Sequence, residues 1–154
     1  MKKYFICLIL LVYGMVSYGQ QSFVFRNTLD QATQVQLDYS LSGNHFLGEE
    51  IANKTYLLKK IYTHIEKGTP MSPVDKVIVK KPTIYYSVRK LERHFRKQIR
   101  KDNITEEQAG KKLNRVLDIC ISIYDQDTEE FEDFLKKQRK PEEILAAYDK
   151  VVLD

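Results

Sequence analysis

Cysteine is almost missing from this chain, with two residues in 154, Cys7 and Cys120. Cys7 falls inside a stretch that reads as a leader, so Cys120 stands alone in the remainder and no internal disulfide is available there. Stability has to come from packing. Cys120 itself sits in the apolar run Val116-Leu117-Asp118-Ile119-Cys120-Ile121-Ser122-Ile123, and is expected as a small buried hydrophobe, not a reactive thiol.

Histidine is equally sparse. His45, His64 and His94 form neither an HExxH pair nor a cluster with cysteine, which argues against a dedicated zinc site. His45 and Glu49 would lie one helical turn apart, a spacing common by chance. Asp125-Gln126-Asp127-Thr128-Glu129 opens like a calcium loop, but Glu130 then takes the glycine position and Lys136 the final glutamate position. The six glycines make no phosphate loop, dinucleotide fingerprint or G-x-S-x-G elbow. No metal and no cofactor is therefore expected, and nothing positive argues for an enzyme. A hydrolase with an unfamiliar site is the least favoured functional class.

Long apolar runs are absent save one. After Met1-Lys2-Lys3 the chain runs uncharged from Tyr4 to Val16, and Ser17-Tyr18-Gly19 places small residues at the −3 and −1 positions before Gln20. Positive start, apolar run and small-x-small form the grammar of a cleavable signal peptide over residues 1–19. A spanning helix needs ~20 apolar residues, which this run lacks. Lipidation at Cys7 is not expected, because Tyr4-Phe5-Ile6 precede it in place of a small residue. The leader resembles bacterial export signals, which implies the periplasm or secretion. No transmembrane segment is expected in the mature chain.

The chain from Gln20 onward is the size of one ordinary domain, expected to be mainly α: a compact bundle of four to six helices over residues 45–154. Residues 20–44 are ambiguous. Val35, Leu37, Tyr39 and Leu41 alternate as in a strand, with Phe23 and Phe25 as a shorter partner, yet Leu29, Ala32, Gln36, Leu37 and Leu41 also fit a helical stripe. From Leu47 to Ile65 the period is helical, and Gly68 with Pro70 marks a stop. Ser72-Pro73 reads as a cap and first turn of a short helix reaching Lys81.

Ile84, Val88, Leu91, Phe95 and Ile99 form the apolar stripe of the next helix. Thr105 and Gln108 form a capping box with Ile104 as a staple. The helix they open carries apolar residues on several faces, so it is expected at the centre of the bundle. Asp127 or Thr128 should cap a short helix bearing Phe131, Phe134 and Leu135. Pro141 should open the last, with Ile144, Leu145, Tyr148, Val151 and Val152 on its core face. The Tyr85-Tyr86 pair could stack on a sugar or lie at an interface, but Tyr85 or Tyr86 is expected simply to edge the core with its hydroxyl in water.

Charge of one sign is missing where it matters most. Between Lys80 and Lys101 lie nine bases and a single acid, Glu92. At ~100° per residue the five apolar positions from Ile84 to Ile99 fall within roughly 80° of one another. Arg89, Lys90, Arg93, Arg96, Lys97, Arg100 and Lys101 cover the opposite arc. From Asp125 onward the balance reverses to five bases against ten acids, a net −5 (five minus ten).

The basic face of residues 83–101 is thus the candidate binding surface. Its expected partner is an acidic envelope protein. The alternative is peripheral attachment to an anionic membrane or glycan. Nucleic acid is not expected, since export removes the usual target and no recognised binding motif is present. The competing structural reading is a solvated face neutralised by the acidic C-terminal segment.

Overall fold

The computed structural model describes residues 21–29 and 46–154. The leader, the alternating residues 35–41 and His45 lie outside the described residues. Among the described residues, five helices and four short strands are arranged in the order β1 (Phe23–Phe25), α1 (Glu49–Tyr62), β2 (Thr63–Glu66), β3 (Lys76–Val79), α2 (Pro82–Arg100), α3 (Glu106–Ser122), α4 (Glu129–Lys136), α5 (Pro141–Tyr148) and β4 (Val151–Leu153). The expectation of a mainly helical, compact fold holds.

Helix α3 is the axis of the core. Leu113, Val116, Leu117, Ile119, Cys120 and Ile121 are all buried, so α3 presents apolar side chains around most of its circumference. Its start is fixed by the box foreseen in the sequence. Gln108 N donates to Thr105 Oγ1, and Thr105 N donates to Gln108 Oε1, both at 3.1 Å. These bonds satisfy backbone donors that a helix start leaves unpaired, worth about 1 kcal/mol. Ile104 packs against the core beside them.

Helix α1 lies along α3 and is tied to it by polar contacts. Lys54 Nζ sits 2.8 Å from Glu50 Oε1 on its own helix, and reaches Asn114 Oδ1 (2.8 Å) and Asp118 Oδ1 (2.6 Å) on α3. Tyr62, at the end of α1, is buried and donates its hydroxyl to the Cys120 carbonyl at 2.9 Å.

Two segments read as helix are strands. The α1 periodicity stops at Tyr62, and Ile65 belongs to β2. Residues 76–79, expected in a short helix, form β3 and pair antiparallel with β2, Ile65 opposite Val77 and Glu66 opposite Lys76. Val77-Ile78-Val79 is a β-branched run, and such side chains lose freedom in a helix but pack well on a pleated ribbon. In the connection, any side chain on Gly68 would run into the Ser72 carbonyl oxygen, 1.7 Å from an added Cβ.

The last helix likewise ends at Tyr148. Val151–Leu153 pairs in parallel with Phe23–Phe25, Val152 opposite Val24. Phe23 and Phe25 do form a strand, but its partner comes from the other end of the chain. A parallel pair needs a crossover, and here the intervening helical body provides it. Phe23 then packs edge-on to Phe131 at 5.1 Å between ring centres, and Phe131 to Tyr148 at 5.4 Å. One aromatic column thus joins β1, α4 and α5.

Candidate functional site

Helix α2 begins at a strained joint. Lys81 adopts φ 45°, ψ 62°, and Pro82 takes the first helical position. A left-handed conformation is costly for a residue with a Cβ. Lys81 is held there by its side chain, which donates to the Gln126 carbonyl and to Thr128 Oγ1, the latter at 3.0 Å. Partial burial depresses its ammonium pKa, opposed by the nearby Glu132, Asp127 and Asp125. Lys81 belongs to the basic run in the sequence, but its charge is turned inward. Thr128 occupies the capping position of α4 without capping it. Its hydroxyl donates to Glu132 Oε1 (2.8 Å), while Asp127 Oδ1 takes the Glu129 N–H (3.1 Å).

From there the helix divides cleanly. Ile84, Val88, Leu91 and Phe95 are buried, and Ile99 is partly so. Ser87 joins this face, sharing a 2.7 Å hydrogen bond with the Tyr148 hydroxyl and donating to the Ile84 carbonyl. Tyr85 packs at the core edge, whereas Tyr86 is exposed. Asp102, at φ 56°, ends the helix in the left-handed region, which aspartate tolerates better than most residues.

Six of the seven predicted basic residues lie on the outer arc of α2 and Lys101 is the cap residue that follows it; the seven are in two states. Arg89 and Arg96 are engaged. Glu92 Oε2 lies 2.5 Å from Arg89 Nη1, and Glu92 Oε1 lies 3.3 Å from Arg96 Nη2. The Arg96 guanidinium also stacks over the Phe46 ring, 3.9 Å from its centre. Lys90 is exposed but donates to the Arg139 carbonyl in the α4–α5 connection.

Arg93, Lys97, Arg100 and Lys101 form the second group. All are exposed, and none has a carboxylate within ion-pair distance among the described residues. At ~100° per residue these positions span roughly 100° of arc. They rise about 12 Å along the axis. The position of Lys97 and Arg100 in the last turn is favoured by the negative end of the helix dipole. That effect fades within one turn and does not account for Arg93. Stacking Arg93, Lys97 and Lys101 at four-residue steps costs the helix about 0.2–0.5 kcal/mol per pair.

The acidic C-terminal segment packs on the head and the buried face of α2, and among the described residues its carboxylates come within ion-pair distance of α2 only at His94. Glu142 Oε1 lies 3.6 Å from His94 Nε2, and the atom that reaches Lys90 is a carbonyl oxygen. Glu143 turns back to its own helix, where Oε2 accepts the Arg139 and Lys140 N–H groups at 2.9 and 3.0 Å. Asp133 pairs with Lys136, and Asp149 lies 3.5 Å from Arg115. These tail carboxylates are thus used elsewhere, and the four open bases keep their field.

Cys120 and His94 offer no nucleophile–base pair. Cys120 is fully buried, its thiol donates to the Tyr148 hydroxyl at 3.4 Å, and burial pushes its pKa up to about 12. His94 faces Glu142 instead. Among the described residues no three His, Cys, Asp or Glu side chains are grouped as metal ligands. No helix there is long and apolar enough to cross a membrane.

Sequence reasoning missed the inward role of Lys81, whose partner Thr128 is 47 residues away, and the Phe46 ring beneath Arg96. The Glu92 pairs, at three- and four-residue spacing, were readable in advance. The chain matches no known family model, and no characterised protein or solved structure resembles it significantly.

Proposed function

We propose that this chain is an exported small helical binding protein that uses the outer face of α2 to dock an acidic protein partner of the same envelope compartment. The leader grammar supports export. The observation that carries the docking surface is the set Arg93, Lys97, Arg100 and Lys101, exposed together and left without carboxylates by the acidic tail of the same domain. A cluster of like charges that weakens its own helix gains a purpose if an acidic surface neutralises it. Such complementarity mainly accelerates encounter and selects the partner. Arg89 and Arg96, already held by Glu92, set the border of the patch, and Lys90 marks its side towards α5.

Salt provides the test. Complexes captured from an envelope fraction by the tagged protein should contain an acidic protein whose recovery falls steeply as ionic strength rises, because exposed charges are screened within ~8 Å at 0.15 M. Recovery that is indifferent to salt would count against the basic face.

A second reading rests on the shape of the surface. The bases project together from the exposed side of a helix, a form that also suits a flat anionic membrane or an extended glycan. Sedimentation with anionic vesicles, or retention on a polyanionic glycan, at low salt would favour it. No binding to either leaves the protein partner as the reading.

A further inference from the structure

The β2–β3 ribbon carries the most exposed apolar surface of the described residues, and the basic face of α2 does not use it. Ile65 and Val77, directly opposite one another, are 63% and 60% exposed, with Met71 and Val74 bare in the connection between the strands. The ribbon has two strands, so the outer edge of β2 is unpaired among the described residues. The open bases of α2 are at its far end: β3 leads into the start of a 19-residue helix, about 28 Å long.

The backbone on that edge has a defined pattern. Lys80 N donates to the Tyr62 carbonyl, so in this register Tyr62–Lys80, His64–Ile78 and Glu66–Lys76 are the hydrogen-bonded positions. Thr63, Ile65 and Lys67 therefore direct their backbone groups outward. The Thr63 N–H is already spent on the Lys59 carbonyl, but its carbonyl and both groups of Ile65 face the open edge.

We propose that this edge pairs with the β2 edge of a second copy of the chain, antiparallel and centred on Ile65. In that register the Ile65 N–H of each copy donates to the Ile65 carbonyl of the other, and each Lys67 N–H to the opposite Thr63 carbonyl. Side chains directly opposed across the new seam are Ile65 with Ile65, and His64 with Glu66 in both directions. One face of the resulting four-stranded sheet carries a continuous row Val77–Ile65–Ile65–Val77. The other carries Lys76–Glu66–His64–Ile78, with Glu66 between a lysine of its own chain and a histidine of the other copy. Apolar and opposite-charge pairs at facing positions stabilise a ladder, and a two-fold edge makes the contact self-complementary. The β3 edge fits less well, because centring on Val77 sets Lys76 against Ile78, and centring on Ile78 sets Lys76 against Lys80.

The test is sedimentation equilibrium over a concentration series reaching millimolar, with the recombinant chain and two sets of variants. The intact chain should rise from monomer to dimer mass. Ile65→Asp should weaken dimerisation by about tenfold or more, with circular dichroism and urea midpoint unchanged because Ile65 is exposed. Register is read by oxidation. Ile65→Cys should cross-link to its mate, since facing hydrogen-bonded residues hold their Cα atoms ~5.5 Å apart, within disulfide reach. Glu66→Cys, displaced along the strand from its own mate, should not. Monomer mass at every concentration, a dimer that survives Ile65→Asp, or equal cross-linking of the two cysteine variants would each overturn the proposal.

Discussion

Lys81 Nζ lies 3.0 Å from Thr128 Oγ1, so a residue held at φ 45° at the head of α2 is fastened to the head of α4. The contact converts one of the chain's many surface cations into a structural bolt. It also explains how a non-glycine residue keeps a left-handed backbone. The side chain offsets what the conformation costs.

Replacement of Lys81 separates the two contributions. Lys81→Ala removes the anchor and keeps the strain, and should lower stability by about 1–2 kcal/mol. Lys81→Gly removes both, and should lie roughly 1 kcal/mol above the alanine variant. Urea denaturation of the two variants side by side checks the order, which inverts if the left-handed conformation carries no strain.

Cys120 should be chemically silent in the folded protein. Its thiol is buried and raised to about 12, so at pH 8 almost none of it is thiolate. Iodoacetamide should leave the Cys120 peptide unmodified until denaturant is added, as read by mass spectrometry. Rapid labelling under native conditions would contradict the buried placement.

The Lys54 cluster gives a pH dependence with a definite sign. Desolvation lowers the Lys54 pKa, but hydrogen bonds and attraction from Asp118 and Glu50 outweigh it and leave it raised. A raised lysine contributes stability that is fully present below the unfolded value, ~10.4, and is lost as pH climbs through the folded value. Stability of the intact chain should therefore fall more steeply above that pH than stability of Lys54→Met. Lys54→Met should also be about 1–2 kcal/mol less stable at neutral pH, since Asp118 loses its cation. Parallel slopes in alkaline urea titrations would refute the linkage.

Leu117 on α3 is fully buried. Leu117→Ala should cost about 2–5 kcal/mol, through lost burial and the cavity left behind. Thermal or urea unfolding reads the loss directly, and a cost below about 1 kcal/mol would mean that α3 is not the centre of the core.

The legible features in the sequence were those set by side chains near one another in the chain. The apolar stripe of α2, the opposing arc of bases, and the Thr105–Gln108 box each follow from spacings of three or four residues, and the structure keeps them. The central position of α3 was readable because Ile119 and Ile121 add apolar character off its main face. The strands were not readable, because their stability lies in distant partners. Val151-Val152-Leu153 continues a helical period until Phe23–Phe25 offers a ladder from the other end of the chain. Val77-Ile78-Val79 becomes strand through Thr63-His64-Ile65. For the candidate site, spacing identified the seven bases but could not rank them. Their division into engaged and open residues depends on Phe46, Arg139 and the tail carboxylates, which local periodicity does not place.

Charge reversal in place bears most directly on the docking surface. Arg93, Lys97, Arg100 and Lys101 are changed together to glutamate, and compared with a control in which Lys59, Lys60, Lys111 and Lys112 are reversed, giving the same net charge elsewhere. With both variants folded by circular dichroism, the acidic partner recovered by the intact protein and by the control should be lost from the α2 variant. Equal recovery by all three proteins, or equal loss from both variants, would contradict a specific role for the basic face of α2.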